Sequence, residues 1–402
     1  MTRNYCLLLA NYACVLGLST VSSLVYSHEV TEQGVVPILN IGGRYLDTAY
    51  DYPMTRLPNA LESSAQQAYV QGAQLEFVDV GLQVAWTSDI TTLVKGSYHG
   101  TDLGNEFAIE QAWLKYHYDI NADHQLTALA GRQHVRLGEQ NLVHSHNWQF
   151  GVTPLVMRAA IAGGWLDDGV SLAWEHEQGW QAFMGAYQAD SFPSVKSQGA
   201  NAINVGGGWQ GHFSHWQLSA AHFNVNGRPT EQQLTQGHSH AQSACLVPTL
   251  GQVCFDGQAL IVVASGAKRW YGTEFSGEAW WKRETGDLAS VSGLVDYQGD
   301  ISGGWLMASH PLNPTIEASL RLETLAGQHQ LTGANAGLIA QEAAIQDSAA
   351  RLSRYGVGLT WRAPYGMTWR LELHQEDNKQ QKNRIFLLRY QWDIASLWPI
   401  KP

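Results

Sequence analysis

The sequence predicts an all-β fold: a transmembrane antiparallel up-and-down β-barrel of about sixteen strands, with short periplasmic turns and long extracellular loops. Three observations predict it. Segments of ten or so residues alternate in polarity from about residue 36 onward, the connections between them alternate short and long, and an apolar leader opens the chain.

The leader reads as a signal peptide. Arg3 supplies the positive start, the stretch from Cys6 to Val25 is largely apolar, and Val25-Tyr26-Ser27 offers a cleavage site, so the cut is expected after Ser27. A retained anchor helix is the alternative. The domain organisation expected is therefore residues 1–27 as signal and 28–402 as one barrel. No plug-sized region precedes the first strand.

The 402 residues have a mean hydropathy of -0.21, with 45% hydrophobic residues. Transmembrane helices need unbroken apolar runs of about 20 residues, and the mature chain has none. A barrel needs none, because lipid-facing and lumen-facing residues cancel in the average. The 40 glycines suit strand bends and close backbone approach. The 16 Trp and 16 Tyr suit membrane interfaces. A net charge of -11 excludes nucleic acid as a partner class.

Alternation is clearest near the carboxy-terminus. Phe386, Leu388, Tyr390, Trp392 and Ile394 oppose Arg389, Gln391 and Asp393, and Trp369, Leu371 and Leu373 oppose Arg370, Glu372 and His374. Ile316, Ala318, Leu320 and Leu322 face away from Glu317, Ser319, Arg321 and Glu323. Tyr355, Val357, Leu359 and Trp361 oppose Gly356, Gly358, Thr360 and Arg362. Short connections are expected at Ser88-Asp89, Asn121 to His124, Glu177 to Gly179, Gly211 to Ser214, Glu284 to Asp287, Pro311 to Pro314, and Ala363 to Gly366. Long ones are expected near residues 48–69, 137–169, 226–268 and 326–353. An even strand count returns the carboxy-terminus to the periplasmic side, and sixteen strands leave an aqueous channel.

Cys6 and Cys14 leave with the leader. Cys245 and Cys254 remain, nine positions apart in a turn-rich stretch, which in an exported chain predicts a disulfide rather than a two-thiolate metal site.

The run Phe107-Ala108-Ile109-Glu110-Gln111-Ala112-Trp113-Leu114-Lys115-Tyr116, followed by Leu129-Ala130-Gly131-Arg132-Gln133, resembles a strand pair of bacterial outer-membrane porins. It looks most like the superfamily that includes the phosphate-selective porins. The resemblance implies a passive diffusion channel, often a homotrimer, in the outer membrane of a Gram-negative bacterium. No enzymatic activity is expected, and no cofactor unless zinc binds. Its partners would be membrane lipid and small hydrophilic solutes or ions. A phosphate-selective throat is lined with Lys, and this chain is acidic and short of Lys.

Residues 137–169 fall where porins fold a loop inward, and they carry Glu139, His144, His146, Trp148, Asp167 and Asp168. Opposite, the lumen-facing positions present Arg321, Arg362, Arg370 and Arg389, with Arg44 and Arg132 joining them. Acids on the loop against bases on the wall would set a transverse field selective for small polar solutes. The competing expectation is solvated lumen charges that pair with their neighbours.

Two His-x-His pairs open a second reading, an outer-membrane channel or receptor specialised for zinc or another divalent metal. On an extended segment residues i and i+2 share a face, so His144 with His146, and His238 with His240, could each offer two ligands. Asp167 or Asp168 would complete the first, and Asp256 or Glu231 the second. Without further ligands both pairs are plain loop histidines. A barrel enzyme is the third reading: His212-Phe213-Ser214-His215 holds a Ser and a His, but on a tight turn and without an orienting carboxylate. Trp86, Trp174, Trp280, Trp281, Trp361, Trp369 and Trp392 are expected as interfacial girdles. A sugar-binding aromatic slide would use Trp148, Trp165 and Trp280.

Overall fold

A computed structural model describes residues 34–49, 71–100, 107–195, 201–231, 245, 247–248, 252–343, 345, 350–378 and 381–397. Sixteen strands form one closed antiparallel barrel in which every strand pairs with its sequence neighbour and the last closes on the first. They are β1 (Gly34–Thr48), β2 (Gly72–Ala85), β3 (Ile90–His99), β4 (Phe107–Asn121), β5 (His124–His134), β6 (Leu166–His176), β7 (Trp180–Tyr187) and β8 (Ala202–Gln210). The second half comprises β9 (Ser214–Glu231), β10 (Gln252–Trp270), β11 (Thr273–Ser290), β12 (Gly293–Pro311), β13 (Ile316–Thr332), β14 (Ala350–Arg362), β15 (Met367–Asp377) and β16 (Lys382–Asp393). Among the described residues two short α-helices, α1 (Leu155–Ile161) and α2 (Ala336–Glu342), lie in connections. No described helix is long and apolar enough to cross a membrane.

Closure satisfies the backbone of every strand and leaves no sheet edge, which is what a lipid environment demands. Successive side chains then divide between two faces. Leu320, Leu322, Val357, Leu359, Leu371 and Leu373 are exposed, while the alternating Ser319, Arg321, Glu323, Arg354, Thr360, Glu372 and His374 are buried. The apolar belt continues around the outside through Val80, Val94, Leu114, Val170, Met184, Val205 and Leu218. The barrel is oily outside and carries its charge inside, so it spans a membrane.

Several connections differ from those expected. Glu284 to Asp287 is no turn; it lies within β11, and the short connections on either side are Tyr271-Gly272 and Val291-Ser292. The stretch looked turn-like because of Gly286, but that glycine serves close packing. It pairs with Gly257 on β10, and a Cβ there would meet the Asp256 carbonyl oxygen at 2.1 Å. The long loop expected at 226–268 shrinks to residues 232–251, because β9 runs to Glu231 and β10 starts at Gln252. Ala259, Ile261 and Val263 on β10 are buried toward the lumen although apolar, so that strand shows little polarity alternation. β13 likewise extends to Thr332, and α2 occupies part of the expected 326–353 loop. The 137–169 connection ends where β6 begins, at Leu166, so Asp167 and Asp168 are strand residues. The proposed leader, residues 1–27, lies outside the described residues.

The disulfide between Cys245 and Cys254 is present, with Cα atoms 5.6 Å apart. It ties the connection after β9 to the third residue of β10.

Candidate functional site: the loop inside the barrel

The connection between β5 and β6 turns into the lumen. Its neck is closed by the Val135 amide, which donates to the Trp165 carbonyl at 3.1 Å. Asn141 fastens the neck from inside. Its amide donates to the Val135 and Trp165 carbonyls (2.8 and 2.9 Å), and its oxygen accepts from the Trp165 amide at 2.7 Å.

From there the segment touches the wall strand after strand. Gly138 takes a positive φ of +72° that favours glycine, and its amide donates to Ser219 Oγ on β9. Glu278 Oε1 on β11 accepts from the amides of Glu139 and Gln140 at 2.7 and 2.8 Å. The middle of the loop meets β2, β3 and β4 through His144 and His146. Beyond them, Arg370 on β15 donates to the His146 carbonyl, and Gln391 on β16 to Asn147 Oδ1. Gln149 Nε2 donates to Ser319 on β13 and Thr360 on β14. The Gly151 amide donates to Glu372 Oε1 at 2.8 Å.

The loop then forms α1. Its first amide, Leu155, donates to Glu323 Oε2 at 2.8 Å, which satisfies one of the orphan donors of a helix start. Ala162 and Gly163 end it with left-handed backbone (φ +54° and +102°). All its residues except Arg158 are buried. They pack against β11, β12 and β13 and join Val135, Leu137, Trp148 and Trp165 in an apolar cluster with Phe223, Phe255, Ile261, Val263 and Leu325 of the wall. Each fully buried Leu, Val, Met or Ile contributes about 1.5–3 kcal/mol relative to exposure, so this half of the loop is a packed core inside the barrel.

From β13 onward to β16 the seat is ionic. Glu323 Oε1 accepts from Arg321 Nε and Arg354 Nε, both at 2.8 Å, and Arg354 also donates to Glu376 at 3.1 Å. Arg321 donates to the Val152 carbonyl at 2.6 Å, and Arg354 to the Thr153 carbonyl. Arg389 pairs with Glu76 at 2.9 Å. The wall arginines thus grip loop carbonyls, and their countercharges come from the wall itself.

That placement assembles only part of the expected charge arrangement. Arg44, Arg321, Arg370 and Arg389 face the lumen, and Glu139 lies across it from β1 and β16, where it accepts from His215 Nε2 on β9 at 2.7 Å. Arg362 pairs with Glu317 (3.1 Å) at the short-turn rim and is exposed. Asp167 is buried under the loop and accepts from the Trp165 indole at 3.0 Å. Arg132 and Asp168 pair with each other at 3.0 Å, but on the outer face, with Val170 and Leu172. Sequence reasoning missed Arg354 and Glu76. Arg354 had a signal, since it alternates with the outward Tyr355.

His144 and His146 enter the loop's meeting point with β2, β3 and β4. Glu110 Oε1 accepts from His99 Nε2 at 2.5 Å and from His144 Nε2 at 2.7 Å. Lys95 Nζ lies 2.8 Å from Glu110 Oε2, and Ser97 Oγ sits between Asp79 (2.5 Å) and Glu110 (2.8 Å), within hydrogen-bond reach of each. His146 stacks on Phe77 with ring centroids 3.6 Å apart. Burial holds the His144 imidazole down to about 3 and His146 well below the ordinary histidine range. The partners supplied are thus His99 and Glu110, not Asp167 or Asp168. His238 and His240 lie outside the described residues.

Trp280 belongs to the lumen cluster rather than to a girdle, and Trp148, Trp165 and Trp280 are all buried (4%, 0% and 3% exposed), so they form no open slide. Trp86, Trp361 and Trp369 face outward as expected. His212 sits in the turn before β9, with its ring edge-on to Phe213.

Solved outer-membrane barrels share this architecture. The trimer form of OmpT, an outer membrane protein of Vibrio cholerae, has 8% identity and a TM-score of 0.56, covering 90% of this chain and 100% of that one. The outer membrane channel DcaP of Acinetobacter baumannii has 12% identity and a TM-score of 0.56, covering 90% and 97%. An anion-selective porin from Comamonas acidovorans has 10% identity and a TM-score of 0.53, covering 90% and 99%. At these identities the likeness is one of fold. No protein-family model matches the chain, and no curated protein matches it in sequence.

Proposed function

We propose that the chain is an outer-membrane porin of a Gram-negative bacterium, a passive diffusion channel for small hydrophilic solutes whose bore is set by the inward loop. The observation that carries this reading is the loop itself. A segment bonded to β9, β11, β13, β14, β15 and β16 from inside leaves the sheet intact while narrowing what sixteen strands would otherwise leave open.

The lumen charge favours neutral and zwitterionic solutes. Arg321, Arg354 and Arg389 are matched by Glu323, Glu376 and Glu76, and the lumen lysines Lys95 and Lys282 lie against Glu110 and Glu284. Arg44 and Arg370 also face the lumen, but with these five cations held by carboxylates the bore is not built to select phosphate. A homotrimer is the assembly we propose, by analogy with the trimeric barrel above. No catalytic step is assigned.

Swelling of liposomes loaded with the purified, folded chain tests the reading. Entry of glycine and arabinose is expected to exceed that of a trisaccharide severalfold, with phosphate no faster than a neutral solute of its size. Swelling no greater than in protein-free liposomes would contradict it.

A further inference from the structure

We propose that His99, Glu110 and His144 form a binding site for a divalent transition cation, zinc being the ion of choice, which ties the inward loop to the barrel wall. This goes beyond the channel reading and stands whether or not the barrel conducts.

Three features carry it. The first is geometry. His99 is the last residue of β3, Glu110 the fourth of β4, and His144 comes from the loop, so three separate segments converge. One ligand atom from each lies within 4.8 Å of the other two. Two imidazole nitrogens and one carboxylate oxygen are a ligand set that zinc takes, with a fourth position left for water or a further side chain.

The second feature is the unsatisfied polarity around these atoms. His144 Nδ1, His146 Nε2 and both ring nitrogens of His134 are buried without a hydrogen-bond partner. His146 Nε2 lies 3.2 Å from Asp79 Oδ2, and the His144 and His146 rings are 3.8 Å apart. Buried polar atoms are nearly always paired, so this group of imidazoles packed beside the three ligand atoms is polar surface that the protein alone does not fully satisfy.

The third feature is charge and support. Two carboxylates, Asp79 and Glu110, lie against one lysine, Lys95, so acid outnumbers base beside the three ligand atoms. Lys95 and Ser97 hold Glu110 Oε2, so Oε1 is the oxygen turned toward the two imidazoles, on a carboxylate already oriented by its surroundings. On binding, the proton on each ligating Nε2 moves to Nδ1, the rings stay neutral and Glu110 stays ionised. The ion takes the place of the two hydrogens that now bridge Oε1 to the imidazoles. Loop and wall then share a metal bond in place of hydrogen bonds.

Isothermal titration of zinc into the folded, detergent-solubilised mature chain, first stripped with chelator, tests the site. One ion per chain is expected, with a micromolar or tighter Kd. His99→Ala and His144→Ala should each weaken uptake about tenfold or more, and the double variant His238→Ala/His240→Ala should leave it unchanged. Heat-modifiable migration on a gel reports folding. Where an alanine variant does not fold, Glu110→Gln keeps the shape of the acid, removes its charge, and is expected to show the same loss. No uptake by the wild-type chain, uptake unaltered in Glu110→Gln, or uptake lost only with His238 and His240 overturns the proposal.

Discussion

Deleting residues 138–164 and joining Leu137 to Trp165 raises single-channel conductance severalfold. The joint is geometrically available because the Val135 amide already bonds the Trp165 carbonyl across the neck. The barrel survives the deletion, since the sheet ladders close from β1 round to β16 without any loop residue. What is removed is α1 and the segment before it, which fill the lumen between an apolar arc (Phe223, Phe255, Ile261, Val263) and an ionic one (Arg321, Glu323, Arg354, Arg389). Water replaces both contacts, and current follows. Planar-bilayer recording of the deletion beside the parent chain checks this, with equal conductance as the contrary outcome.

Glu323→Ala is expected to be the most damaging single substitution inside the barrel. Glu323 is 7% exposed and serves three partners at once: Arg321, Arg354 and the first amide of α1. Its removal leaves two guanidiniums without their shared countercharge and frees the helix start. Breaking a buried ion pair from one side costs about 3–5 kcal/mol. Most of that loss should fall on the loop's seat rather than on the sheet. Urea unfolding in micelles should show a lower midpoint, and protease added to the folded variant should cut near α1, where the parent resists. A variant with parental stability and the same protease resistance would show that the acid is dispensable. Glu323→Gln should be intermediate, because it keeps acceptor geometry but not charge.

The fold was legible where the two faces of a strand differ in chemistry. From β13 to β16 outward leucines and valines alternate with inward Arg, Glu and Ser, and the expected faces are the observed ones. Legibility failed from β9 to β12 for a physical reason. There much of the lumen wall is itself apolar (Phe223, Val225, Ile261 and Val263), so both faces of these strands read alike and their ends read as loop. Gly286 misled for a related reason: a residue chosen for close backbone approach to Gly257 carries the same letters as a turn.

The candidate site was half legible. His144 stood out by its His-x-His spacing, and Glu110 lay in the stretch that carried the porin resemblance. Nothing local joined them. Their meeting depends on the loop folding back across the lumen to β3 and β4, a long-range event that spacing does not encode. Arg132 and Asp168 show the converse error. Both are charged and near the loop, yet strand parity puts them on the outer face, and counting from Val170 or Leu172 would have revealed it.

Everything functional in this account requires residues 135–165 to sit inside the barrel in one fixed position. A cross-link between loop and wall measures that directly. Asn147 Oδ1 on the loop accepts from Gln391 Nε2 on β16 at 2.9 Å. Cysteines at Asn147 and Gln391, treated in the folded protein with a short bifunctional thiol reagent, should link in nearly every chain and shift its migration on a gel. If both thiols react singly with a small maleimide yet never join, the loop is elsewhere and the barrel is not narrowed as described.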